Sequence, residues 1–281
     1  MTARDASPVS ARTAIALTIA GSDSSGGAGI QADLKTFSAF AVYGASVLTA
    51  LTAQNTHGVS AVEPITPAFV VAQMDAVLCD LHVGAIKTGM LANAAIVEAV
   101  ARRLHGVSAP LVVDPVMVAT SGDQLLEPDA VAAVKRRLIP LARLITPNLP
   151  EAARLLDAPV AASEADAVAQ ARALLELGSE AVLLKGGHAS GREAVDIFCD
   201  RSHVERLARP MIDTRNTHGT GCTLSAAIAA LLAQGVELRD AVERGKTYVW
   251  HALQAGSALG VGGGSGPVDH LFALRGSSPP A

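Results

Sequence analysis

Aromatic side chains make up only 3% of this chain and charged ones 17%, and cysteine occurs three times in 281 residues. Each shortage excludes something. So few aromatics leave no stacking platform for single-stranded nucleic acid. A formal net charge of −4 offers no electrostatic footprint for nucleic acid or an anionic membrane. Cys79, Cys199 and Cys222 are odd in number and far apart. That fits neither a disulfide framework nor a zinc site, and it points to a reducing compartment. No apolar run approaches a membrane-spanning length, and residues 1–12 lack the apolar stretch of a signal peptide. There is no Gly-x-x-x-x-Gly-Lys-[Ser/Thr] run, so the chain is not a P-loop protein. The expectation is a cytoplasmic protein with no nucleic-acid or membrane partner and a frayed tail over 1–13.

What the chain does have is apolar mass: half of its residues are hydrophobic, enough for one large core over 14–275. Short apolar runs at 14–20, 47–54, 85–88, 111–114, 144–146 and 181–185 read as buried strands. Amphipathic stretches at 94–104, 128–139, 165–177 and 223–233 read as helices. Alternation of the two implies right-handed βαβ crossovers, hence a single α/β domain with a mostly parallel sheet covered on both faces. Runs near 195–199 and 204–207, joined by Asp200-Arg201-Ser202, suggest an antiparallel pair. In such sheets a ligand sits beyond the carboxyl ends of the strands.

The most informative loop is Asn216-Thr217-His218-Gly219-Thr220-Gly221-Cys222, followed by an apolar helix. Gly219 and Gly221 can take backbone conformations closed to other residues, letting successive N–H groups face one concavity. A helix starting at Gly221 or Cys222 adds its free N–H groups and positive dipole end. That is an anion site, suited to a phosphoryl group in transfer. A thiol at such a terminus is expected to have a depressed pKa. The plainer alternative is a tight turn with Cys222 as a small buried filler.

Other segments carry chemistry with an ordinary structural alternative beside each. Gly26-Gly27-Ala28-Gly29 matches part of a dinucleotide fingerprint, but it follows its strand too late and lacks the acidic partner; a flexible loop is equally compatible. Gln54 offers one acceptor and two donors, or simply caps a strand. Asp114 ends a buried strand, as a turn former before Pro115 or as a carboxylate that holds Mg²⁺ through water. Glu151 falls in the first helical turn after Pro150, where dipole complementarity alone would place it. Lys185 ends a buried strand before Gly186 and Gly187, either seeking an anion or snorkelling at the sheet edge. The stretch between Val116 and Leu125 has the small residues of a closing flap, or of an ordinary loop.

Taken in order, several segments resemble the hydroxymethylpyrimidine and phosphomethylpyrimidine kinases, a family of the ribokinase-like superfamily. They are Ala20-Gly21-Ser22-Asp23, Gly26-Gly27-Ala28-Gly29-Ile30-Gln31-Ala32-Asp33, Thr52-Ala53-Gln54-Asn55-Thr56, Lys87-Thr88-Gly89-Met90-Leu91, Asp114-Pro115-Val116-Met117, Ile145-Thr146-Pro147-Asn148-Leu149-Pro150-Glu151-Ala152, Lys185-Gly186-Gly187-His188 and the loop ending at Cys222. The resemblance spans 16–270. It implies a ribokinase-like fold and ATP-dependent phosphorylation of the pyrimidine alcohol and then its monophosphate, in thiamine diphosphate biosynthesis. It implies substrate contacts from Gln54, Ala28, Asp33, Met90 and Val116, and ATP contacts from Asn148, Glu151, Lys185 and Gly187. Asp114 and Glu151 would organise Mg²⁺, and Gly219, Thr220, Gly221, Cys222 and Lys185 would serve the transfer. The glycine-rich stretch 260–267 would lie near the nucleotide base. Many relatives within the superfamily carry an aspartate base where this chain has Cys222, which leaves the base open. A pyridoxal kinase and a non-catalytic pyrimidine sensor are the rival readings, and a homodimer is compatible with the sequence.

Overall fold

The structure, a computed structural model, describes residues 13–117, 128–186 and 192–275. In chain order the elements are β1 (Ile15–Ala20), α1 (Gly29–Ala39), β2 (Tyr43–Leu48), β3 (Ala50–Asn55), β4 (Gly58–Pro64), α2 (Pro67–Leu78), β5 (Ala85–Thr88), α3 (Ala94–Leu104), β6 (Leu111–Val113) and α4 (Pro128–Ala133). Then follow β7 (Leu144–Ile145), α5 (Leu149–Leu156), α6 (Glu164–Leu175), β8 (Ala181–Lys185), β9 (Glu193–Asp200), β10 (Val204–Pro210), α7 (Thr220–Ala233) and α8 (Leu238–Gly256). Past α4 the expected helix to Ile139 continues as one wide turn and one tight turn, the latter at Pro140.

The main sheet runs β10-β9-β8-β7-β6-β5-β1-β2. From β2 to β8 neighbours are parallel, and β9 is antiparallel to both β8 and β10, as the turn at Asp200 suggested. Residues alternate between its faces. Leu17, Ile19, Ile86, Val113, Val182 and Leu184 join the core shared with α2, α3, α5 and α6. Ala16, Val112, Leu144, Ala181 and Leu183 face the other way, into the core built around α7 and α8. α7 is buried without a break from Thr223 to Leu231, a core helix rather than a surface one.

One expected strand divides. The run 47–54 leaves the main sheet at Thr49, whose N–H still bonds Ala20 O, and β3 then pairs with β4 as a separate hairpin. The hairpin register shifts between Ala53 and Gln54, a bulge that re-aims the side chain beside it. An apolar run cannot report which sheet it joins, so this break had no local signal.

Because β1 has β2 on one side and β5 on the other, the strand order reverses there. The crevice this creates lies at the carboxyl ends of β1, β5 and β6. Among the described residues, no helix is long and apolar enough to cross a membrane.

Candidate active site

The carboxyl ends of β1, β5, β6, β7 and β8 open onto one cleft of about 840 Å³. The start of α7 forms part of its wall. Gly219 has φ +78°, and a Cβ there would lie 1.9 Å from Gly27 O, so only glycine allows the loop to approach this closely. The helix begins at Thr220, one residue ahead of the earliest expected start, and Gly219, Thr220, Gly221 and Cys222 all line the cleft. Unpaired first-turn N–H groups and the positive end of α7 therefore face it.

Beside that terminus lies a charge cluster. Lys185 Nζ donates to Asp114 Oδ1 at 2.9 Å, and Thr146 Oγ1 donates to the same oxygen at 3.1 Å. A Cβ on Gly221 would come within 3.0 Å of Lys185 Nζ and 3.7 Å of Asp114 Oδ2, so the ion pair touches the helix start. Burial acts against the charged lysine, but Asp114 and Glu151 outweigh it and raise the Lys185 pKa above its ordinary value. Glu151 and Asn148 form a reciprocal capping box, each bond 2.8 Å long. Burial, with Asp114 nearby, pushes the Glu151 carboxyl up to about 7 despite Lys185. Asn148, Glu151 and Lys185 thus stand together on the wall, as expected, whereas Gly187 and the loop segment 118–125 lie outside the described residues.

Ala28, Gln54, Met90 and Val116 are all on the wall of the same cleft. Two expectations change. Asp33 does not line the cleft: Lys87 takes that wall position and Asp33 lies behind it. There its carboxylate accepts from Lys87 Nζ at 2.7 and 2.8 Å and from Thr18 Oγ1 at 2.6 Å, with both charged side chains fully buried. Burial favours neutral Lys87, but the Asp33 charge more than offsets it and lifts the lysine pKa. The Cys222 thiol is also not depressed. Burial pushes it up to about 11, and the pull of Lys87 is opposed by Asp33 and Asp114. At neutral pH it carries its proton, because desolvation of a thiolate outweighs the helix terminus.

Two wall residues, Asp23 and His218, had no reading of their own in the sequence. Asp23 Oδ2 accepts from His218 Nε2 at 2.8 Å and from the N–H groups of Gly27 and Ala28 at 3.0 and 2.8 Å. Burial works to raise the Asp23 carboxyl, but the bonds from His218, Ser25 and Ala28 hold it well below the usual carboxylate range. At a separation of 195 positions, no motif spacing could have paired these two. Farther along, Lys246 Nζ donates to Asp196 Oδ2 at 2.6 Å, and Gly186 N–H donates to Asp196 Oδ1 at 3.0 Å, shaping the wall past Lys185.

A parallel α/β sheet whose cleft holds a helix-terminus anion site, a paired lysine and two carboxylates defines a small-molecule phosphotransferase of ribokinase-like architecture. A family profile described as phosphomethylpyrimidine kinase matches residues 23–269, and the chain belongs to that family. The hydroxymethylpyrimidine/phosphomethylpyrimidine kinase of Rhizobium meliloti is 57% identical over 92% of this chain and 97% of its own length. The thiamine biosynthesis bifunctional protein ThiED of Geobacter sulfurreducens is 51% identical over 92% of this chain and 52% of its own length. Among solved structures, an ADP complex of Bacillus subtilis pyridoxal kinase superposes with a TM-score of 0.87 at 38% identity, covering 94% of this chain and all of that one.

Proposed function

We propose that this protein transfers the γ-phosphoryl group of ATP to the hydroxymethyl oxygen of 4-amino-5-hydroxymethyl-2-methylpyrimidine, and then a second one to the monophosphate, in thiamine diphosphate biosynthesis. The observation that carries this is the meeting of the Lys185–Asp114 pair with the start of α7, in the same cleft that Gln54 lines. The ring would lie between Met90 and Val116 with its amino edge on Gln54. Its hydroxymethyl group would then reach toward the Gly219–Gly221 backbone. Those N–H groups and Lys185 would spread the charge of the phosphoryl group in flight. With its thiol up at about 11, Cys222 is a wall of the pocket rather than a base. A loose transition state loses the alcohol proton late, so a strong base is not required.

The donor set at the phosphate end suits a divalent cation. Two carboxylates, Asp114 and Glu151, crowd one another there, and Mg²⁺ in kinases takes one or two carboxylates and completes its shell with phosphate oxygens and water. Mg²⁺ supplies further charge neutralisation on the phosphates when bound. We place the kinase unit at residues 14–275 and the protein in the cytoplasm; a homodimer is compatible with this and is decided by sedimentation.

The likeness to a pyridoxal kinase makes pyridoxal the competing alcohol. ADP release is to be measured with the pyrimidine alcohol, its monophosphate and pyridoxal in parallel. Turnover of both pyrimidines above pyridoxal is expected. Preference for pyridoxal overturns the substrate, and no turnover with any of the three leaves only the sensor reading.

A further inference from the structure

Gln54 is held at its backbone before its side chain is considered. Its N–H donates to Ser24 Oγ and its C=O accepts from the same hydroxyl, both at 2.8 Å. The amide end then lies between two partners: Nε2 stands 3.4 Å from His218 Nε2, and Oε1 stands 3.2 Å from Thr52 Oγ1. The oxygen and nitrogen ends of an amide have the same shape, so the partners decide which way it faces.

Both partners give the same answer. Asp23 Oδ2, an acceptor only, lies 2.8 Å from His218 Nε2, so that nitrogen carries the proton and donates. Thr52 Oγ1 lies 2.9 Å from the Ser22 carbonyl, so its single proton is already given there, and toward Gln54 it can only accept. With Nε2 at His218, two N–H donors oppose each other and two oxygens meet at Thr52. A half-turn of the amide puts Oε1 toward the His218 N–H and Nε2–H toward Thr52, so that no two donors and no two acceptors oppose each other while the His218 proton stays directed at Asp23. His218 has a built seat: a Cβ on Gly27 would come within 2.5 Å of its Cδ2, and its backbone N–H donates to Gly266 O at 3.0 Å.

We infer that Asp23, acting through the proton it fixes on His218, sets the direction of the Gln54 amide and so selects an amino over an oxo group at ring position 4. These are positioning residues, and the inference rests on the reading that Gln54 meets the pyrimidine. A 4-aminopyrimidine presents an N–H donor beside a ring-nitrogen acceptor, matched by the free lone pair of Oε1 and the second N–H of Nε2. A 4-oxopyrimidine presents the reverse order, acceptor beside ring N–H. A freely turning glutamine would serve both; a locked one serves the first.

The test compares kcat/KM for 4-amino- and 4-oxo-5-hydroxymethyl-2-methylpyrimidine in wild type, His218→Phe and His218→Gln. The amino/oxo ratio is expected to fall about tenfold in His218→Phe, the scale of one bidentate base contact. It should recover in His218→Gln, whose terminal N–H₂ still reaches Asp23. Because His218 adjoins Gly219, the substitution shifts the rates for both substrates together, so the ratio is the readout. An unchanged ratio in His218→Phe overturns the inference. Independently of turnover, ¹⁵N NMR of the wild-type imidazole should show the proton on Nε2. A proton on Nδ1 alone overturns the lock, even if His218→Phe fails to fold. Wild type inactive on both pyrimidines would sink the functional reading instead, while the NMR result would still decide the lock.

Discussion

Two lysine–carboxylate pairs stand at the ends of parallel strands in this molecule, and they do different work. Lys87 and Asp33 are both 0% exposed, and three short donor bonds close on the carboxylate. Lys185 keeps 15% of its side chain exposed against Asp114 at 2%, and its neighbours are Glu151, Gly221 and open cleft. A pair with both side chains out of water and each charge answered by the other joins β5 to α1 and contributes a fixed charge. A pair that is left one-sided can exchange its partner for a ligand's phosphate. Residue types are the same; access and surplus charge separate them.

The comparison breaks first on stability. Lys87→Met should cost about 3–5 kcal/mol, because it strands the Asp33 carboxylate in the core. Urea unfolding measures this, and the double variant Lys87→Met/Asp33→Leu should recover most of it. A loss below about 1 kcal/mol, the level of an exposed pair, would show that the site is wet rather than sealed. Lys185→Met should do the opposite. We expect kcat to fall about 10²–10³-fold, as when one oxyanion donor is removed, with far less loss of stability. If its unfolding midpoint fell as far as that of Lys87→Met, the functional contrast would be gone.

Cys222 lies under the influence of both pairs and gives the smallest expected effect. Its alkylation by iodoacetamide should be slow at neutral pH and rise with pH toward a midpoint of about 11. The sign follows from the neighbours: Lys87 stabilises the thiolate, so Lys87→Met should move the midpoint higher still. Cys222→Ala should change kcat by about tenfold or less; a loss of about 100-fold or more would mean that the thiol takes the proton.

Much of this was legible in the chain. β8 and α3 fall where the apolar patterns place them, and Glu151 takes the first turn of α5 as its place after Pro150 suggested. The glycine loop also forms as read, since a positive φ at Gly219 is a demand that only glycine meets cheaply. What was not legible depended on partners distant in sequence. The split of 47–54 required knowing that β3 pairs with β4 rather than with β1.

The sequence by itself determined the fold class, the family and which strand ends carry polar groups, because periodicity and glycine placement are local. Only the tertiary structure decided the charge states and the exposures. Asp33 went behind the wall because Lys87 reaches it across 54 residues, and the Cys222 thiol went up rather than down because burial outweighed the helix end. Desolvation and pairing are properties of a surrounding, and that surrounding exists only once the chain has folded.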